Sequence, residues 1–172
     1  LHTLQDPSQR RFLLRHVIAK NALWAAHAHY QLAKDFLDES EFNNALKHLK
    51  LVSNKAHSDE FKALISIQIR RALFLKESPR VKDPLKGHPH QHRVHLSYVQ
   101  QQLNTHNQPQ SVRGKLHLFK AEIQLSRNQL KSAVQSLEEL SENPLFRIED
   151  RAAALNHLSK IYVRMGHLQD VE

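Results

Sequence analysis

From Phe12 to Met165 the apolar residues of this chain recur three and four places apart. No stretch alternates apolar and polar with a period of two for long enough to make a strand. That periodicity commits the chain to helices, each burying one stripe against its neighbours. The punctuation agrees. Among 172 residues there are 3 Gly and 6 Pro, too few for the many tight turns of an all-β sandwich or barrel. The three Gly stand isolated at 87, 114 and 166, so no Gly-rich loop is available to cradle a nucleotide. The absence of Cys excludes a disulfide framework, thiolate zinc sites and a cysteine nucleophile.

Local signals divide the periodic pattern into about seven or eight helices. Asp6-Pro7-Ser8-Gln9 joins an N-cap acceptor to Pro at the first helical position. The stripe that follows runs through Phe12, Val17, Trp24, Ala28 and Leu32 to Leu37, as one long helix or as two bent near Lys20-Asn21. Ser40 is placed to cap a helix over Phe42–Val52, and Ser58-Asp59 opens another that Pro79 closes. Residues 79–90 hold three Pro and one Gly and form the one long loop. Helices are expected from about Gln91 to Leu103, Val112 to Leu125, Leu130 to Leu140 and Ile148 to Met165, with Gly166 as the last stop. Connections this short predict antiparallel neighbours. Trp24 shares a stripe with Val17 and Ala28, which points to burial.

No stretch approaches the ~20 apolar residues of a membrane span, and Asp6, Arg10 and Arg11 interrupt any signal-peptide core. The chain starts at Leu1, and a new helical pattern begins at Leu168 only to end at once. Both features read as a piece of a longer protein, intracellular, cytoplasmic or nuclear.

One pattern occurs three times. Leu32-Ala33 and Phe36 precede a break at Ser40, followed by Ala45, Leu49 and Val52. Ala121 precedes a break at Asn128, followed by Ala133, Leu137 and Leu140, then Pro144. Leu155, Leu158-Ser159 and Tyr162 precede Gly166, followed by Val171. Each has a small residue about seven places before the break and Ala or Val about five after it. Where two helices of a hairpin cross near their turn, small residues let the backbones approach while larger neighbours fill the grooves.

On these residues the chain resembles the tetratricopeptide repeat family: Leu155, Leu158, Ser159, Tyr162 and Gly166 for a first helix, Ala133, Leu137, Leu140 and Pro144 for a second. The family's period is 34, whereas Ala45 and Ala133 lie 88 apart and Ala133 and Val171 lie 38 apart. His29 and His117 stand where the family carries a bulky apolar residue. The resemblance covers about half the chain by motif and the rest by architecture. It implies one domain over 1–172 of antiparallel hairpins stacked as a right-handed superhelix, and a non-catalytic protein-interaction scaffold within a larger complex. By repeat position, the groove residues it implies are His27, Tyr30, Gln31 and Lys34, then Arg113, Lys120 and Gln124, then Asn156 and Lys160. They favour an acidic extended or helical partner segment, or neighbouring repeats of the same protein. The other reading of the same small residues is a compact helical bundle.

Chemistry-bearing groups are sparse. His88, His90, His92 and His95 have spacings that bring two or three imidazoles to one Zn²⁺ or Ni²⁺. Against this, the nearest acid is Asp83 and no HExxH motif occurs, so the favoured reading of the cluster is a solvated, adventitiously His-rich loop. His27, His29 and His157 read as surface or partly buried helix residues. No GxSxG turn or paired buried carboxylate is legible. The expectation is no enzyme, no metal and no cofactor. The charge is +8, and residues 80–127 carry eight basic residues against two acidic ones, a net of +6. Arg10, Arg11 and Arg15 make a second basic group. An RNA-associated helical module touching phosphates through Arg80, Lys82, Lys86 and Arg93, with Tyr98 stacking on a base, is therefore the alternative reading.

Overall fold

The computed structural model describes residues 6–54, 58–77, 89–105 and 107–169. Among them are eight α-helices and no strand: α1 (Pro7–Lys20), α2 (Ala22–Asp38), α3 (Phe42–Ser53), α4 (Asp59–Glu77), α5 (Pro89–Leu103), α6 (Gln110–Ser126), α7 (Leu130–Glu142) and α8 (Ile148–Gln169). None is long and apolar enough to cross a membrane. The chain divides into two compact units, residues 1–77 and 78–172, whereas the repeat pattern reads as one array. The division falls at the end of α4, just before the expected 79–90 loop, of which residues 79–88 lie outside the described residues. Its last two residues, Pro89 and His90, already belong to α5.

In the first unit each helix packs on the next. The Asp6 side chain caps α1 by accepting from the Ser8 amide at 2.9 Å, and Pro7 opens the helix, as its sequence dictates. The long stripe is two helices. Asn21 adopts an extended conformation (φ −138°, ψ 97°) that ends α1, and its side chain accepts from the Trp24 amide at 3.3 Å to start α2. Two arginines then tie α1 across to the far end of α2. Arg10 makes a two-pronged pair with buried Asp35 (Nε–Oδ2 2.9 Å, Nη2–Oδ1 2.6 Å). Arg11 pairs with Glu39, reaches Glu41 at 3.9 Å and lies 4.4 Å over the Phe36 ring. These two arginines hold helices together, so most of the second basic group is spent inside the fold. Ser58 caps α4 by accepting from the Phe61 amide at 3.2 Å.

The α2–α3 and α6–α7 connections are the same turn, 88 residues apart. Ser40 N–H donates to Leu37 C=O (3.0 Å) and Glu41 N–H to Phe36 C=O (2.7 Å). Asn128 N–H donates to Leu125 C=O (3.0 Å) and Gln129 N–H to Gln124 C=O (2.9 Å). Both Ser40 and Asn128 are left-handed, at φ 64° and 58°. This is a Schellman closure, which satisfies the last carbonyls of the first helix. Ser40 therefore closes α2 rather than capping α3. The position before α3 is Glu41, whose side chain makes no cap. The Ala45 and Ala133 amides then donate to Glu41 and Gln129 carbonyls, each at 3.0 Å. These alanines stand on the first turn after the reversal. Ala33, Ala45, Leu49 and Val52 are fully buried in one hairpin, and Ala121, Ala133, Leu137 and Leu140 in the other.

In the second unit α5, α6, α7 and α8 pack in order, and α6 also meets α8. Gly114, inside α6, makes that last contact possible: a Cβ there would lie 2.6 Å from Asp150 Oδ2. Asp150, 1% exposed on the first turn of α8, sits 2.6 Å from Lys115 Nζ, off the hydrogen-bonding directions of its oxygens. Pro144 forces Asn143 into extended backbone and ends α7. The Arg151 guanidinium caps that end by donating to the Ser141 carbonyl at 2.9 Å. At the far end the expected stop at Gly166 is not used, and α8 continues to Gln169. No Gly in the described residues has a positive φ. Nothing lies within 4 Å of a Cβ placed on Gly166, so no packing demand turns the chain there.

Candidate functional site

A groove of about 540 Å³ is walled by α1 and α2. Leu14, Val17, Trp24 and Ala28 line it among polar and charged neighbours, and most of the surface they present together is apolar. Asp35 and Arg10, paired as above, close one end, so that end is neutral. His16, Lys20 and Asn21 line the other end. Neither His16 nor Lys20 makes an ion pair among the described residues. Trp24 stands at the rim with 55% of its surface exposed. Burial expected from its place on the Val17–Ala28 stripe is thus corrected: the chain reverses at Asn21, and the stripe does not continue unbroken from α1 into α2.

An aromatic stack supports the rim. The His27 ring lies 5.7 Å from Trp24 and stacks flat on Phe61 of α4 at 4.9 Å. Tyr30 makes an edge-to-face contact with Phe61 at 5.4 Å, which makes it a joint between α2 and α4. Of the residues implied on α2, His27 and Gln31 line the groove. Lys34 is half-buried and engaged within the fold.

The candidates in the second unit are dispersed. Arg113 and Lys120 are half-buried on α6, and Asn156 and Lys160 are exposed on α8. Gln124 is buried and accepts a hydrogen bond from Ser136 Oγ at 3.1 Å, so it joins α6 to α7 and presents nothing outward. Among the proposed phosphate contacts, Arg93 is exposed on α5, while Arg80, Lys82 and Lys86 lie outside the described residues. Tyr98 is half-buried and engaged within the fold. Lys115, part of the same basic segment, is held by Asp150.

Among the described residues His29, His92, His95 and His117 are buried, while His16 and His27 are exposed. His92 and His95 are buried on α5, with His95 edge-on to Phe119 of α6 at 6.2 Å, and His88 lies outside the described residues. Among the described residues no group of three or more His, Asp or Glu is arranged to hold a metal ion. His29 and His48 join α2 to α3 through their Nδ1 atoms, 2.8 Å apart, an arrangement that needs one ring to donate and the other to accept. Burial, followed by the neighbouring His29, Lys47 and Arg15 charges, pushes His48 below its ordinary pKa of 6.5. His117 sits edge-on to Phe146 at 5.4 Å, and neither ring nitrogen has a hydrogen-bond partner among the described residues. Burial pushes its pKa down as well, against the pull of Glu139.

The groove offers apolar surface, an exposed indole and a cationic end, and no nucleophile or unpaired carboxylate. The sequence signal for it was the crowding of Trp24, His27 and Lys20 around a helix break. No protein-family model, no characterised protein and no solved structure matches the chain.

Proposed function

We propose that this chain is a non-catalytic, tetratricopeptide-like interaction scaffold whose α1–α2 groove grips an apolar anchor on a partner segment, with an acidic residue beside the anchor. The observation that carries this reading is the half-exposed Trp24 at the rim of an apolar groove. An indole kept in water costs solvation of its apolar face, and aromatic residues of this kind dominate the energetics of protein contacts. The acidic flank follows from Lys20, which lines the groove and makes no ion pair among the described residues, while the lining carboxylate Asp35 is committed to Arg10. The repeated turn and its Ala–Leu–Leu/Val stripe support the architectural part of the reading, since stacked hairpins of this kind build extended binding faces.

The test is affinity capture on the full chain, comparing wild type with Trp24→Ala and Lys20→Glu. Both positions are exposed, so the fold should survive each change. Truncating a Trp anchor typically costs about 2 kcal/mol or more, roughly thirtyfold in affinity. A captured protein retained equally by both variants would sink the proposal. Binding of single-stranded RNA that collapses between two salt concentrations, unaffected by Trp24→Ala, would replace it with the nucleic-acid reading.

A further inference from the structure

Helix α1 carries three arginines, and two of them have carboxylate partners. Arg10 pairs with Asp35, and Arg11 with Glu39 and Glu41. Arg15, one turn beyond Arg11, is exposed and makes no ion pair among the described residues. Its place follows from that of Arg11, which lies 4.4 Å over the Phe36 ring; that ring in turn stacks on His48 of α3 at 5.4 Å. The chain reverses at Asn21, so the turn of α1 after Arg11 lies beside the turn of α2 before Phe36. That direction leads to His29, whose Nδ1 lies 2.8 Å from Nδ1 of His48. Lys47, next to His48 in the chain, is exposed and also makes no ion pair among the described residues.

Three helices thus build a basic corner: Arg15 from α1, His29 from α2, Lys47 and His48 from α3. After burial, the groups that press His48 below its ordinary pKa are His29, Lys47 and Arg15, and none of them is acidic. Cations gathered without a counter-charge repel one another, so the corner works against the fold. The hairpin does not require it. At the offset of 88 the second hairpin has Gln135 and Ser136 in place of Lys47 and His48. Two imidazoles alone would suit a metal ion, but a guanidinium and an ammonium beside them repel one. The same set suits an anion. Arg presents a planar fork of donors and Lys a compact charge. The imidazole pair adds a further donor: where His29 Nδ1–H donates to His48 Nδ1, His48 carries its proton on Nε2. His48 is the half-buried member of that pair and reaches the surface, whereas His29 is buried.

We infer that Arg15, Lys47 and His48 form a binding site for a phosphomonoester-type dianion, free or carried on a side chain. Such a group answers both fixed charges, and its three terminal oxygens answer the three donor side chains. A phosphodiester, with a single charge, leaves part of the set unmet. None of these residues lines the α1–α2 groove, and the inference does not depend on what that groove holds.

The test follows the Arg15 guanidinium and His48 imidazole signals by NMR on the full isotope-labelled chain. Ionic strength is held constant, at a slightly alkaline pH where phosphate and its monoesters are dianions. The probes are inorganic phosphate, N-acetyl-O-phosphoserine amide and dimethyl phosphate. Saturable shifts of both side chains with either of the first two support the inference, and the tighter one tells whether the group arrives free or on a polypeptide. Arg15→Gln and Lys47→Gln should each weaken binding about tenfold. Both positions are exposed, and an unchanged melting temperature shows that the fold is kept. Lys131→Gln removes the same charge from the exposed surface of the second unit and should leave binding as it was. Absence of saturable shifts would overturn the inference. So would dimethyl phosphate binding as tightly as phosphate, or an equal loss in Lys131→Gln, either of which would mean general attraction to a basic protein.

Discussion

The α2–α3 and α6–α7 hairpins share one turn, bond for bond, yet they fill the space beneath it differently. In the first unit the positions flanking the central alanine are His29 and Phe36, and a single residue of α3, His48, satisfies both by hydrogen bonding and stacking. In the second they are His117 and Gln124. Ser136 satisfies Gln124, while His117 meets only the edge of Phe146. The Schellman closure and the small–Leu–Leu/Val stripe are thus the fixed part of the design. The flanking pair is free to be aromatic or polar: α3 answers it in the first hairpin, and α7 together with Phe146 beyond its end answers it in the second. In α8 the same pair, Leu155 and Tyr162, receives no answer from a second helix.

The comparison predicts equal costs at equivalent fixed positions. Leu49→Ala and Leu137→Ala each leave a cavity in a fully buried stripe and should lose about 2–5 kcal/mol, measured by native-state hydrogen exchange in the unit concerned. Leu155→Ala should stay within about 0.5 kcal/mol. A loss below about 1 kcal/mol at either of the first two would mean that the hairpins are alike only in their turns.

Gly114 separates the units, since no Gly occurs in the first. Ala is the better helix former by about 1 kcal/mol, yet Gly114→Ala should destabilise by about 1–3 kcal/mol because its Cβ meets the buried Asp150 carboxylate. A thermal double-mutant cycle with Asp150→Ala should find the pair strongly non-additive. Simple additivity would remove Gly114 from the α6–α8 contact.

Acid sharpens the contrast next. His48 and His117 both hold pKa values below 6.5 when folded, so the unfolded chain takes up their protons first as the pH falls. The stability they contribute is fully present above about pH 6.5 and drains away below it, toward their folded pKa values. Melting temperature should therefore drop between about pH 7.5 and about pH 5.5. His117→Phe should flatten that drop for the second unit alone. A drop unchanged by this substitution would place the acid sensitivity elsewhere.

The smallest expected effects lie in the turns. Ser40 holds a left-handed conformation that Ser tolerates less well than Asn. Ser40→Gly should stabilise by about 0.5–1 kcal/mol and Asn128→Gly by only about 0.3 kcal/mol, read from chemical denaturation. A larger gain at 128 would reverse that ordering.

Much of this was legible in the sequence because its causes are local. The periodicity, the Asp6 cap, the Ser58 cap and the Pro144 stop each act over one or two helical turns. The 88-residue spacing pointed to two equivalent hairpins. What stayed hidden depends on which side of a helix finds a neighbour. Trp24, Leu155 and Tyr162 have the spacing of core residues and are exposed where the neighbouring helices leave their sides of α2 and α8 largely open, Tyr162 reaching Glu138 of α7 through its hydroxyl. Gln124 has the composition of a surface residue and is buried because Ser136 happens to face it. Asp35 and Asp150 gave no sign of burial, since their partners, Arg10 and Lys115, lie 25 and 35 residues away. Gly166 looked like a stop, but a glycine ends a helix only where the chain turns back.

The equivalence of α2, α6 and α8, with only the last left open, is tested most directly by placing one arginine at each matching small residue. Ala33→Arg and Ala121→Arg bury an unpaired charge at the tightest point of a closed hairpin and should unfold their units, a loss of several kcal/mol. Ser159→Arg should leave the thermal unfolding curve within about 0.5 kcal/mol of wild type. A Ser159→Arg protein that unfolds like the other two, or an Ala121→Arg protein that melts like wild type, would contradict the account.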